Sequence, residues 1–318
     1  MTEWRLDAGT GASAQTIALT TAGGIPEVIW WGAALPAGED LAQLAAAARN
    51  DLTGGMLDRL PALSLCPEAG RGFQGQPGLM VQTEGCAPLL PAFTFERADE
   101  NPGFLRLVSV ADGLRLSHEF RVYETGVIGL RTVLDAKQPV RVQWLAAPVL
   151  PAPQDGDIID IHGKWTREFH LNRTPWSPGI RLRESRTGRS GHEHPPYAIL
   201  AGRGATNTAG EARALHYAWS GGHRMVAEEL PDGRRQVQFG PASGAETLAG
   251  TRFETAELLA IYSGSGLNGI GATFQHDLRD RVVTWPDPAR PRPVHYNCWE
   301  AVYFNHNIAD LAAIADRA

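Results

Sequence analysis

The chain has 318 residues, of which 43% are hydrophobic and 20% are charged, and its formal net charge is −6. This composition is typical of a globular protein with a large core, and the length suits one large domain or two smaller ones. The acidic balance and the scattered arginines exclude a basic surface for nucleic acid.

The N-terminal residues carry charges and glycines, without the apolar segment of a secretory signal peptide. No run approaches about 18 apolar residues, the length that a membrane-spanning helix needs. The three cysteines, Cys66, Cys86 and Cys298, show no disulfide-framework spacing and suit a reducing compartment. We therefore predict a cytoplasmic protein that does not bind a membrane.

Residues 1–285 have the alternating apolar pattern of β-strands, with one helix candidate at 39–50. Residues 104–136 predict a meander of three strands, because Asp112 and Gly113 supply one turn and residues 124–126 supply another. Alternation continues along the chain, and a Pro-Asp-Gly sequence at 231–233 predicts another hairpin. The pattern predicts a mainly β fold, a large two-sheet β-sandwich; two or more linked sandwiches are the alternative.

The composition changes near residue 285. Four prolines between 286 and 293 predict a stiff linker, because each removes a backbone donor and restricts φ. Residues 294–299 then form an apolar and aromatic run that predicts a buried strand, and Ile308, Leu311 and Ile314 have helical spacing. A strand followed by a helix is the first half of a βαβ unit, so we place it at 294–318. Without a partner strand, we expect residues from about 292 onward to be loosely held, to lie against the sandwich or to pair between chains.

Two motifs are weak. Residues 264–269 match G-x-G-x-x-G, but the segment after them has no clear helical stripe, which favours a glycine-rich loop over a dinucleotide site. His192, Glu193 and His194 have the spacing of some metal sites, but two prolines follow and no third ligand is evident. A polar loop is therefore favoured there, and we predict no metal and no cofactor.

Other positions leave alternatives open. Trp219, beside a flexible turn at 220–224, suits either stacking on a sugar or packing in the core. Glu228 and Glu229 precede a hairpin, so we predict that both lie at a solvated edge. Glu300 is a more interesting carboxylate, because it follows Trp299 near the end of a predicted strand. Paired catalytic carboxylates cannot be assigned from spacing, because their separation in space is what identifies them.

Several segments resemble bacterial α-galactosidases of glycoside hydrolase family 36. They are residues 163–200, HYAWSGGHRM at 216–225, ELPDGRRQVQFG at 229–240 and PRPVHYNCWEAVYFNH at 291–306. The last is the most specific, because the family commonly has a VHYNTWEAVYFDH-like run. Cys298 stands where Thr or Ser is usual, and Asn305 stands where Asp is usual.

The resemblance implies an N-terminal β-supersandwich (1–285), a Pro-rich linker (286–293) and the first strand and helix of a (β/α)8 barrel (294–318). It implies retaining hydrolysis of terminal α-galactosides such as raffinose and melibiose, without a cofactor, often by a homo-oligomer. Trp299 would form a wall of the galactose pocket, at the end of a barrel strand where such sites lie. The family's catalytic aspartates belong to later barrel strands, so no residue here is assigned a catalytic role and the chain alone is expected to be inactive.

Three alternatives stay open. The chain could be a non-catalytic sandwich that binds carbohydrate or mediates oligomerisation. The parent protein could be a galactosyltransferase of the same architecture. Whether the chain is a fragment, a split gene product or an incomplete sequence also stays open.

Overall fold

The computed structural model describes residues 2–49, 60–242, 249–287 and 289–318. The strands are β1 Thr2–Ala8, β2 Gln15–Thr21, β3 Glu27–Ala33, β4 Leu79–Thr83, β5 Pro88–Leu89, β6 Thr94–Asn101, β7 Phe104–Ala111, β8 Leu114–Val122, β9 Ile128–Leu145, β10 Leu150–Pro151, β11 Asp157–Lys164, β12 Arg167–Pro175, β13 Gly179–Ser185, β14 Tyr197–Ala201, β15 Ala212–Tyr217, β16 His223–Glu229, β17 Arg235–Pro241, β18 Ala249–Glu254 and β19 Leu258–Ser263. The helices are α1 Leu41–Ala47, α2 Leu267–Asp277, α3 Trp299–Val302 and α4 Ile308–Ala315. Short 3₁₀ segments span Gly11–Ser13 and Ala69–Arg71, and a π-helical segment spans Leu278–Val282.

The strands form three hydrogen-bonded sheets. The largest has twelve strands and runs β12-β11-β14-β15-β19-β9-β8-β7-β6, with β18 and β4 paired to β9 and β5 paired to β4. A four-stranded sheet runs β10-β17-β16-β13, and a three-stranded sheet runs β1-β2-β3. The strand pairs between these elements are antiparallel. The mainly β fold is therefore confirmed, and its strands are shared among three sheets.

One hydrophobic core joins all three sheets. It includes Leu19 of the small sheet, Leu116 and Phe120 of the large sheet, and Val237 and Phe239 of the four-stranded sheet, each fully buried. Burying a side chain of this size contributes roughly 1.5–3 kcal/mol, so the shared core is the main force that holds the sheets together.

The predicted meander is present as β7, β8 and β9. Asp112 (φ +41°) and Gly113 (φ +82°) both have positive φ, as a type I′ hairpin turn requires. The third strand of the meander, β9, continues beyond the predicted end at residue 136 and runs from Ile128 to Leu145. Pro139 is tolerated within it, because the pairing with β8 ends at Ala136 and the pairing with β18 is irregular beside the proline.

Two local predictions are confirmed with small changes. The hairpin at 231–233 joins β16 to β17, and the Leu230 N–H donates to the Arg234 carbonyl at 2.8 Å. The helix candidate at 39–50 is α1, which begins after Asp40 because that carboxylate accepts from the Gln43 N–H at 3.0 Å. Residue 50 lies outside the described residues.

The chain divides into two compact units, Met1–Asp280 and Arg281–Ala318. In the second unit the helix predicted around Ile308 is α4, with the Asn307 side chain accepting from the Ala309 N–H. The strand predicted at 294–299 is not present in the structure: residues 294–298 are in no strand, and Trp299 begins the short helix α3. The Trp299 N–H donates to Asn297 Oδ1 at 3.0 Å at the start of this helix.

Across the described residues, no helix combines the length and the apolar character that crossing a membrane requires.

Candidate functional site

The predicted site residue Trp299 lies in a cluster of aromatic rings. Its ring centroid is 5.0 Å from that of Phe304 and 5.7 Å from that of Tyr303, and both contacts are edge-to-face. Trp299 is 45% exposed, and both partners are also exposed. The cluster therefore presents aromatic surface to solvent, of the kind on which the C–H face of a sugar packs.

The backbone after α3 orders this cluster. Tyr303 has φ +46°, a left-handed conformation that is unusual for an aromatic residue. Its carbonyl lies 2.7 Å from His306 Nε2, which can donate to it. The sharp turn at Tyr303 brings Phe304 back against the indole of Trp299. Glu300, the carboxylate beside Trp299, is exposed on the same helix.

The structure corrects the sequence analysis at the glycine motif. Residues 267–277 form the helix α2, which the sequence analysis missed because the segment is rich in Gly and β-branched residues. The site is still unsuited to a dinucleotide phosphate, since the first amides of α2 are already bonded. The Leu267 N–H donates to the Thr206 carbonyl at 3.0 Å, and the Asn268 N–H donates to the Asn207 carbonyl at 2.8 Å. A Cβ on Gly266 (φ +80°) would lie 2.5 Å from the Thr206 oxygen, so the glycine serves close packing.

The His192-Glu193-His194 sequence lies in a loop between β13 and β14, as predicted. The His192 ring packs edge-on against Trp165, with centroids 6.2 Å apart. Burial, with a contribution from Arg183, lowers the pKa of His194 below its ordinary value. Within the described ranges, no three His, Cys, Asp or Glu side chains are grouped so that they could hold a metal ion.

Glu228 was predicted to be solvated, and this is wrong. It is 7% exposed, and its carboxylate accepts from the Gln76 N–H at 2.8 Å and from Gln236 Nε2 at 2.6 Å. The strand β16 lies between β13 and β17, so alternation places Glu228 inside, where hydrogen bonds compensate for its burial. Glu229 faces the other way and pairs with Arg235 at 2.8 Å.

A charged row across the large sheet was missed in the sequence analysis. Glu119 Oε1 accepts from Arg106 at 2.7 and 3.0 Å, and its Oε2 accepts from Arg131 at 2.9 and 3.2 Å. Burial raises the pKa of the Glu119 carboxyl, but the hydrogen bonds from the two arginines outweigh it and hold that pKa below its ordinary value. The two-residue turn at 112–113 sets Arg106 opposite Glu119, so hairpin register was the signal that could have found this row.

The structure shows whether Trp219 lies in the core or at the surface. It follows β15 and is 41% exposed, so it is not a core residue. Its N–H donates to the Tyr217 carbonyl at 2.7 Å, which keeps the turn tight. The indole lines a groove on the outer face of the large sheet.

Two family models match the chain. Residues 24–245 match the Glycosyl hydrolase family 36 N-terminal domain, and residues 252–318 match Melibiase. An α-galactosidase of Escherichia coli is 34% identical over 302 residues, which cover 92% of this chain and 42% of the relative. Alpha-galactosidase AgaA of Geobacillus stearothermophilus is 30% identical over 213 residues, which cover 65% of this chain and 29% of the relative.

Solved structures share the fold. The crystal structure of AgaA has a TM-score of 0.83 at 23% identity and covers 99% of this chain and 48% of that one. The α-galactosidase of Lactobacillus brevis has a TM-score of 0.79 at 19% identity and covers 99% of this chain and 47% of that one. The chain thus spans less than half the length of the relatives it matches. It belongs to glycosyl hydrolase family 36, and most of its length matches the N-terminal domain of that family.

Proposed function

We propose that this chain is the N-terminal portion of a retaining α-galactosidase that hydrolyses terminal α-galactosides of the raffinose and melibiose type. The observation that carries the proposal is the Melibiase match over residues 252–318, which continues beyond the sandwich. A relative that covers 92% of the chain and another that covers 65% of it are both named α-galactosidases. Variants of AgaA have been crystallised in complex with raffinose and with stachyose.

Retaining hydrolysis requires two carboxyl groups about 5 Å apart, one as nucleophile and one as acid and base. By resemblance to the family, both belong to later strands of the barrel, so this chain supplies neither. Its proposed contribution is Trp299, whose exposed indole would form one wall of the galactose pocket.

The test joins residues 1–318 to the remaining part of the Escherichia coli relative. We expect this fusion to release nitrophenol from 4-nitrophenyl α-galactoside, whereas the 318-residue chain alone shows no turnover. A 4-nitrophenyl β-galactoside serves as the matched control. Turnover by the purified chain alone would contradict the proposed absence of catalytic carboxylates, and an inactive but folded fusion would count against the proposed function.

The relatives described above are named as enzymes, so an independent binding or oligomerisation module is not favoured. The reaction product distinguishes hydrolysis from galactosyl transfer. Raffinose supplied with excess acceptor sugar yields free galactose from a hydrolase and a new oligosaccharide from a transferase. We also propose a cytoplasmic location and a homo-oligomer for the whole protein, and sedimentation of the fusion tests the second of these.

A further inference from the structure

A groove of about 580 Å³ lies on the outer face of the large sheet. Its floor is formed by side chains of β7, β8 and β9, including Arg121 and Arg131. One wall is the connection between β18 and β19, residues 254–257, and the other is the segment after β15, residues 217–219. A volume of this size is within the range of sites that bind small molecules, roughly 300–1,000 Å³.

A glycine on the groove floor lets two neighbouring side chains lie close to the strand. Gly129 lies opposite Arg121 on the floor, and a Cβ there would lie 2.2 Å from Glu257 Oε1 and 2.9 Å from Tyr123 Cε2. These two side chains occupy the space, and the Tyr123 hydroxyl donates to Glu257 Oε1 at 2.6 Å. The glycine thus lets a hydroxyl and a carboxylate lie low in the groove in a defined arrangement.

Trp219 is held in place at the rim. Its ring lies against Gly221, where a Cβ would be 2.4 Å from the indole Nε1. The Ser190 N–H donates to the Ser220 carbonyl at 2.7 Å, and Ser190 Oγ donates to the Trp219 carbonyl at 3.2 Å. These hydrogen bonds fix the backbone of the turn that carries the exposed indole, and preorganisation of this kind reduces the entropy lost on binding.

The charges favour an uncharged ligand. Three carboxylates and two guanidiniums line the groove, so its formal net charge is −1; they are Glu119, Glu254, Glu257, Arg121 and Arg131. Glu119 is already compensated by two arginines. The carboxylates and guanidiniums at the surface can accept from and donate to pairs of hydroxyls, while the indole offers an apolar face. Neutral sugars combine those two kinds of surface.

We propose that this groove binds a neutral oligosaccharide. Trp219 packs against one face of a sugar ring, and the Tyr123–Glu257 pair and Arg121 hydrogen-bond to its hydroxyls. The site goes beyond the proposed function, because it binds sugar without cleaving it and uses no residue of the Trp299 cluster.

Titration calorimetry of the 318-residue chain with raffinose and with maltotriose tests the proposal. We expect saturable binding of at least one sugar in the millimolar range, and a loss of about tenfold in affinity for Trp219→Ala, the size of a lost aromatic contact. Tyr123→Phe, which removes the hydroxyl alone, should weaken binding less. Circular dichroism verifies that each variant is folded. If Trp219→Ala does not fold, the affinity of Tyr123→Phe tests the proposal.

One control variant locates the site. Trp165→Ala removes an indole that is 77% exposed on another part of the sandwich. It should bind as the unmodified chain does. The proposal is overturned if neither sugar binds saturably by about 50 mM, if both groove variants bind unchanged, or if Trp165→Ala loses as much affinity as Trp219→Ala. These outcomes are independent of whether the fusion hydrolyses α-galactosides.

Discussion

Trp299 is the site residue that the family resemblance assigns, and the structure places it at the start of a helix. Its indole is 45% exposed there. If it forms a pocket wall in the proposed enzyme, its loss removes binding surface and leaves the reacting groups untouched.

We therefore expect Trp299→Ala in the fusion to raise KM for 4-nitrophenyl α-galactoside by about tenfold, the scale of a lost aromatic contact, with a smaller effect on kcat. Trp299→Phe should recover most of the loss. Steady-state kinetics measure both, and Trp165→Ala is the control. A variant with unchanged KM would remove Trp299 from the pocket.

His118 predicts a dependence of stability on pH. It is fully buried on β8, and neither ring nitrogen has a hydrogen-bond partner within the part of the chain that the structure describes. Burial lowers the pKa of His118 to about 3, whereas in the unfolded chain it is about 6.5. Between these values the unfolded chain binds a proton that the folded chain does not, so acid favours unfolding.

The free energy of unfolding should fall by about 2 kcal/mol between pH 7 and pH 5 on account of this one group. Above pH 6.5 the contribution is complete, and it is lost progressively as the pH falls toward 3. Urea unfolding at the two pH values measures it. His118→Leu should have a correspondingly smaller pH dependence, while His192→Leu, in an exposed loop, should behave as the unmodified chain. Equal pH dependence in His118→Leu would show that the imidazole takes up a proton in the folded state.

At the scale of elements, two glycines differ in whether their backbone conformation requires glycine. Gly113 completes the turn between β7 and β8 with φ +82°, and a Cβ there would meet no atom closer than 3.7 Å, so its requirement is conformational. Gly271 lies within α2, where a Cβ would meet nothing within 4 Å.

Gly113→Ala should therefore lower the free energy of unfolding by about 1 kcal/mol or more, because alanine is strained at positive φ. Gly271→Ala should raise it by about 0.5–1 kcal/mol, because alanine favours the helix. Urea midpoints at constant m-value measure both. Effects of the same sign would contradict this assignment of backbone roles.

The elements also show where sequence patterns succeed. The meander of β7 to β9 and the hairpin of β16 and β17 were predictable, because alternation and turn residues act within a few positions of each other. The helix α2 was missed because its glycines and β-branched residues have low helix propensity. Its first amides are bonded by carbonyl groups of residues 206–207, which lie far away in sequence. The strand predicted at 294–299 is not formed, and residues 294–298 pair with no strand in the part of the chain that the structure describes.

At the scale of the whole molecule, the two compact units differ in how much apolar surface they expose. The shared core lies between Trp4 and Ala260, within the first unit. In the second, Val294 is 99%, Phe304 85% and Ile308 84% exposed.

Brief digestion with chymotrypsin should therefore cut first between Tyr296 and Phe304, where aromatic residues are exposed outside any sheet. Mass spectrometry should find an early fragment that ends in this range. Trp165 and Phe169 are equally exposed but belong to the β11–β12 hairpin, so they are the internal control. Earlier cleavage at that hairpin would show that the terminal unit is the better protected of the two.

The sequence by itself determined the mainly β fold and the family, and it identified Trp299 as a candidate site residue. It could do so because strand alternation, turn residues and a motif at 291–306 are local features. Only the tertiary structure decided that Glu228 is buried, that Trp219 is exposed and that Arg106, Glu119 and Arg131 form one row. Each of these depends on which strands lie side by side. Burial and pairing between distant strands are set by the packing of three sheets on a common core, and no short stretch of sequence contains that information.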